Sequence, residues 1–144
     1  MKTLVLVLVP YDVPGAALGD AVMERLKPHR QIESDESVRG RFDYLVGAFE
    51  ELLNDPIAEG RLPADERRAW AGNVCDKSRV PPEVIPGALV TLDGAWHDVS
   101  DFGWQMIPAS TAANQRALAQ WGDRYRALLA AALECWVLAM WVHS

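Results

Sequence analysis

Trp96-His97-Asp98, followed by Asp101 and Trp104, brings two flat aromatic rings, an imidazole and two carboxylates within nine positions. Such a set could stack a ring system on the indoles while His97 and an aspartate hydrogen-bond its edge. It could also do acid–base work, as a small hydrolase or transferase using His97 with Asp98 or Asp101 orienting it. The packing alternative is that Trp96 and Trp104 close a sheet edge, His97 is a core histidine with its bonds satisfied, and the aspartates cap a turn. Arg39 and Arg41 would add forked donors for a phosphate or carboxylate if they lie beside this segment. Otherwise they are solvated loop arginines, or partners for Glu33, Asp35 and Glu36 just before them.

Other chemistries have weaker signals. Cys75, His97, Cys135 and His143 are suitable metal donors, but no two stand at the short spacing that nucleates a zinc site. Cys75 as a nucleophile has only Lys77 nearby to lower its pKa. Gly15 and Gly19 follow an apolar run, yet neither phosphate-loop nor dinucleotide fingerprint is completed. The expectation is no metal and no cofactor.

These side chains need elements to position them. The run 4–9, β-branched and leucine throughout, predicts a strand covered on both faces and therefore central in a sheet. A strand is preferred to the apolar core of a signal peptide, because Pro10-Tyr11-Asp12 ends the run early. Leu18, Ala21, Val22 and Leu26 recur at helical spacing, and Lys27-Pro28 supplies a basic last turn and a stop. Residues 30–41 read as a solvated loop, 42–49 as a second strand, and 63–71 as a short helix anchored by Trp70. The proline-rich stretch 80–87 predicts a rigid connector.

Asp93-Gly94 between two apolar runs predicts a β-hairpin with a two-residue turn. That register pairs Val90 with His97 and Thr91 with Trp96, and it puts Trp96 and His97 on opposite faces, His97 with Ala88, Leu92, Ala95 and Val99. Ser110 or Thr111 can cap the longest helix, with Leu118, Trp121, Tyr125, Leu128 and Ala132 inward. The run 135–142 fits a buried strand. The fold class is α+β: one domain over 1–144, with a small, mostly antiparallel sheet of about four to five strands, packed by one long C-terminal helix and one or two short ones.

Fourteen basic against twenty acidic residues leave a formal charge of −6 on 144 residues. That field repels duplex nucleic acid and anionic membranes, and suits docking on a basic protein. No run is long enough to span a bilayer. Two well-separated cysteines argue for a reducing cytoplasm.

Three stretches, Arg41-Phe42-Asp43-Tyr44-Leu45-Val46-Gly47, then 88–97 with Gly103-Trp104 behind it, then the terminal apolar run closing on Val142-His143, together resemble a widespread family. Its members are small, mostly uncharacterised proteins encoded by tailed phages and actinobacterial genomes. The family commonly reads D-Y-x-V-G-G-R-W, A-L-V-T-P-D-G-x-W-H with G-x-M-G-W, and D-C-H-I. Here Ala48, Phe49 and Glu50 replace the end of the first pattern, and only His143 carries over from the last. The resemblance implies a phage-type context rather than a reaction. It adds Tyr44 to Trp96, His97, Trp104, Arg39 and Arg41 as candidate ligand- or partner-binding residues. The expected function is a non-enzymatic binding protein, an accessory or counter-defence factor that blocks a host protein or sequesters a small, nucleotide-like anionic ligand. A homo-oligomer formed through the sheet is a further option.

Overall fold

The apolar run after Lys2 forms β1 (Lys2–Pro10), the centre of a mixed sheet in a computed structural model that describes residues 2–31, 40–46, 73–105 and 110–143. The expected helix over 63–71, the acidic loop with Arg39, and the part of the second strand beyond residue 46 lie outside the described residues. The remaining strands are β2 (Tyr44–Leu45), β3 (Val74–Asp76), β4 (Ala88–Val90), β5 (Trp96–Asp98) and β6 (Cys135–His143). Their order is β2-β6-β1-β4-β5, with β3 also on the outer side of β6. Among the described strands only the β1–β4 pair is parallel, so the sheet is mostly antiparallel, as expected.

β1 and β6 pair along their whole length, from Lys2 with His143 to Pro10 with Cys135. Both are continuous apolar runs because both faces of the sheet are covered. Val5, Val7, Val9, Val90, Trp96, Met140 and Val142 point to one face, under Val22 and Leu26 of α1 (Leu18–Leu26) and under Phe42. Leu6, Leu8, Leu89, Val137 and Ala139 point to the other, against Trp121 and Tyr125 of α2 (Ala112–Ala131). Thr111 starts α2, its hydroxyl accepting from the Asn114 N–H. α1 ends at Leu26, where Pro28 turns the chain into a 3₁₀ segment, Lys27–His29.

Two expectations are corrected. The hairpin turn is longer than two residues: Gly94 N–H donates to Thr91 O (2.8 Å), Thr91 N–H donates to Ala95 O (3.0 Å), and Gly94 takes a φ of 82°. Gly94 is the left-handed residue of a three-residue loop, and Asp93 braces it by accepting from Ala95 N–H (3.2 Å) and from the Thr91 hydroxyl. The pairing therefore slips by one, to Val90 with Trp96 and Leu89 with His97. Trp96 and His97 keep opposite faces, but His97 joins Leu89 rather than Ala88. Leu118 is the second correction, because it is 39 % exposed on α2 while Asn114 and Ala117 take the inward positions of that turn.

Candidate functional site

Trp96 is 8 % exposed and belongs to the core. Its ring lies 5.9 Å from that of Phe42, nearly parallel at 18°, and 5.5 Å from that of His29. His29 Nε2 is 2.8 Å from Gly94 O, and Arg25 Nη1 donates to Leu92 O at 3.0 Å. The α1 side of the molecule thus clamps the hairpin loop through its carbonyls. His29 and Phe42 have no sequence signal as partners of Trp96, since only the packing of α1 and of the 40–46 segment on the sheet joins them.

Below the hairpin, the two aspartates do structural work. Trp96 Nε1 donates to Asp98 Oδ2 (2.7 Å), and Asp98 Oδ1 accepts from Ser100 N–H (2.9 Å) and from the Ser100 hydroxyl. Asp101 Oδ2 reaches back to Asp98 N–H (3.1 Å), completing a capping box on the 3₁₀ helix Val99–Phe102. Arg41 does lie beside this segment. Its Nη1 stands 3.5 Å from Asp98 Oδ2, 3.6 Å from Asp101 Oδ1 and 3.3 Å from Ser100 Oγ. The guanidinium is engaged by carboxylates of its own chain, so it is no open anion fork.

His97 projects to the other face of β5, where Nε2 is 3.4 Å from Thr91 Oγ1. Successive side chains on a strand diverge, which separates His97 from the Asp98 carboxylate that a dyad would need. Trp104 is half-buried beyond Gly103, and no ring contact among the described residues joins it to Trp96. The following residue is held by Asn114, which is fully buried and bonds both Gln105 N–H and Gln105 O at 3.0 Å. The structure therefore brings Arg41, Trp96, Asp98 and Asp101 together, and turns His97 to the other face of β5.

Tyr44 is in a different place, on β2 at the opposite edge of the sheet. Its ring is 48 % exposed and stacks on His143 at 4.7 Å, tilted by only 8°. His143 Nδ1 lies 3.1 Å from Asp43 Oδ2, and the Asp43 backbone is pinned through Asp43 N–H to His143 O (2.8 Å) and Arg30 Nε to Asp43 O (3.0 Å). One hundred positions separate Asp43 from His143, so no local pattern could announce this set.

Cys75 and Cys135 are buried free thiols on neighbouring strands. Burial, helped by the Asp76 carboxylate, pushes the Cys75 thiol up to about 12, and burial also raises Cys135. Neither is suited to nucleophilic attack. Cys135 and His143 stand at opposite ends of β6, and among the described residues no three metal-ligating side chains come together. The folded state keeps the Cys75 proton to higher pH than the unfolded state does, so stability is present below the ordinary thiol pKa and is lost as pH rises toward 12. Urea unfolding between pH 8.5 and 10 should show this loss, the Cys75 share approaching about 1.4 kcal/mol per pH unit, and Cys75→Ala should remove that share while the loss due to buried Cys135 remains.

Among the described residues no helix is long and apolar enough to cross a membrane. Comparison with protein-family models, with curated proteins and with solved structures finds no match.

Proposed function

We propose that this chain is a binding protein without turnover that docks on another protein at the β2 edge, with Tyr44 as its anchor. The observation behind this reading is the exposed Tyr44 ring, held face to face on His143, which Asp43 holds in turn. A tyrosine ordered before contact loses little entropy on binding, and tyrosine is among the residues that dominate interface energetics. The net charge of −6 favours a partner with a basic face. The likeness to small phage proteins supplies the context, an accessory or counter-defence factor acting on a host protein.

Two rival readings have less support. A nucleotide-like ligand has no open indole at Trp96 to stack on and no uncommitted guanidinium at Arg41. A hydrolase would need His97 and Asp98 to converge, and they face apart.

The test is capture of host proteins on the intact chain, followed by native mass spectrometry of the complex. Tyr44→Ala should weaken a stoichiometric complex at least ~10-fold with an unchanged circular dichroism spectrum, the loss of an anchor worth about 2 kcal/mol. The exposed control Leu133→Ala should leave it intact. Equal recovery with Tyr44→Ala would move the docking surface elsewhere, and conversion of any nucleotide by the pure protein would overturn the reading without turnover.

A further inference from the structure

At the other end of β6 from Tyr44, a cleft of about 270 Å³ opens between the proline-rich connector and the C-terminal half of α2. Its walls are Val80, Pro81 and Pro82 on one side and Tyr125 and Leu129 on the other. The connector is held there by Trp121 Nε1, which donates to Pro86 O at 2.7 Å, and by a turn closed by Val84 N–H on Pro81 O at 3.1 Å. Prolines and a buried tyrosine ring make stiff walls, so the cleft is preformed.

The charged groups lining the cleft are both cationic, Lys77 and Arg126, on a chain whose net charge is −6. Lys77 Nζ donates to Ala130 O (3.2 Å) in the last turn of α2 and to the O of Ala132, the residue that follows α2. It thereby neutralises the negative end of the helix dipole that would otherwise repel an anion at this spot. Among the described residues Arg126 has one ion pair, 3.6 Å from Asp123, with the two side chains 59 % and 88 % exposed. A pair that open to water is weak, so the guanidinium can be recruited to another carboxylate.

We infer that this cleft binds a small apolar carboxylate, its ring or short chain lying between Pro81, Pro82 and Leu129 and its carboxylate held by the Arg126 fork. The volume lies just under the usual range for ligand pockets, ~300–1,000 Å³, which limits the occupant to a single ring or a short chain. A guanidinium meets a carboxylate through two parallel N–H donors, and the apolar walls supply what a bare inorganic anion could not use. The site is independent of the Tyr44 edge, and its failure would leave the docking reading untouched.

The experiment is titration of the intact, ¹⁵N-labelled chain with 4-phenylbutyrate and, separately, with its neutral amide, 4-phenylbutanamide. The acid should give saturable shifts at the Val80, Leu129 and Ala130 amides and at Arg126 Nε–H, with the amide at least ~10-fold weaker. Arg126→Ala, an exposed substitution, should weaken the acid by a similar ~10-fold, and Arg126→Lys should restore part of it. Absence of shifts at roughly millimolar ligand, shifts centred elsewhere, equal binding of acid and amide, or full retention in Arg126→Ala would each overturn the assignment.

Discussion

Trp121→Ala is expected to lower the unfolding free energy by about 3–5 kcal/mol, the largest effect of any single truncation considered for this chain. Trp121 is 1 % exposed and stands between α2 and the sheet, with its ring 6.1 Å from that of Tyr125. Its neighbours include Leu6, Leu8, Leu89 and Val137, the face of the sheet opposite α1. Truncation removes the ring from a close-packed layer and also leaves Pro86 O without its donor. Trp121→Phe separates the two terms: it retains most of the apolar volume and loses the hydrogen bond, so about 1–2 kcal/mol is expected. Urea unfolding followed by circular dichroism measures both. If the alanine variant costs less than about 1.5 kcal/mol, the helix-to-sheet contact is not the main source of stability on that face.

Asp98→Ala is expected to cost about 2–4 kcal/mol, because one carboxylate serves three groups. It caps the 3₁₀ helix through Ser100, a role worth about 1 kcal/mol. It is also the acceptor for Trp96 Nε1, and a buried indole N–H left without a partner costs about 1–3 kcal/mol. The Arg41 pair adds little, since Arg41 is 39 % exposed. Arg41→Ala should therefore fall below about 1 kcal/mol, and Asp98→Asn, which keeps an acceptor, should fall between the two. Denaturant midpoints give the energies. The Trp96 indole proton gives a second readout, with faster hydrogen exchange expected in Asp98→Ala and wild-type protection in Arg41→Ala. If Arg41→Ala proved as damaging as Asp98→Ala, the ion pair rather than the indole bond would govern this corner.

Trp96 and Asp98 have the composition of a binding or catalytic set, and their neighbours turn that composition to structural ends. Burial against Phe42 and His29 removes the indole face from any ligand. The capping box and Arg41 occupy the carboxylates. A strand-by-strand reading cannot anticipate this, because the groups that engage Trp96 and Asp98 come from the 3₁₀ segment after α1, from the 40–46 segment and from the turn after β5.

Patterns with a short physical range were legible in the sequence. The apolar runs of β1 and β6, the helical spacing ending at Pro28, the Thr111 cap and the presence of a hairpin at Gly94 all follow from backbone preference and side-chain alternation over a few residues. The hairpin register was not, because Asp-Gly serves both a two-residue turn and the end of a three-residue loop. The choice fell to packing, which buries Trp96 with Val90 on the α1 face. Leu118 shows the same limit on α2, where the buried bonds of Asn114 to Gln105 decide which side of the first turns faces inward. Tertiary structure alone brought Tyr44, Asp43 and His143 to one edge, and Arg126 and Lys77 to one cleft against Pro81 and Pro82. Those contacts span tens of residues, and a contact of that span leaves no local periodicity to read.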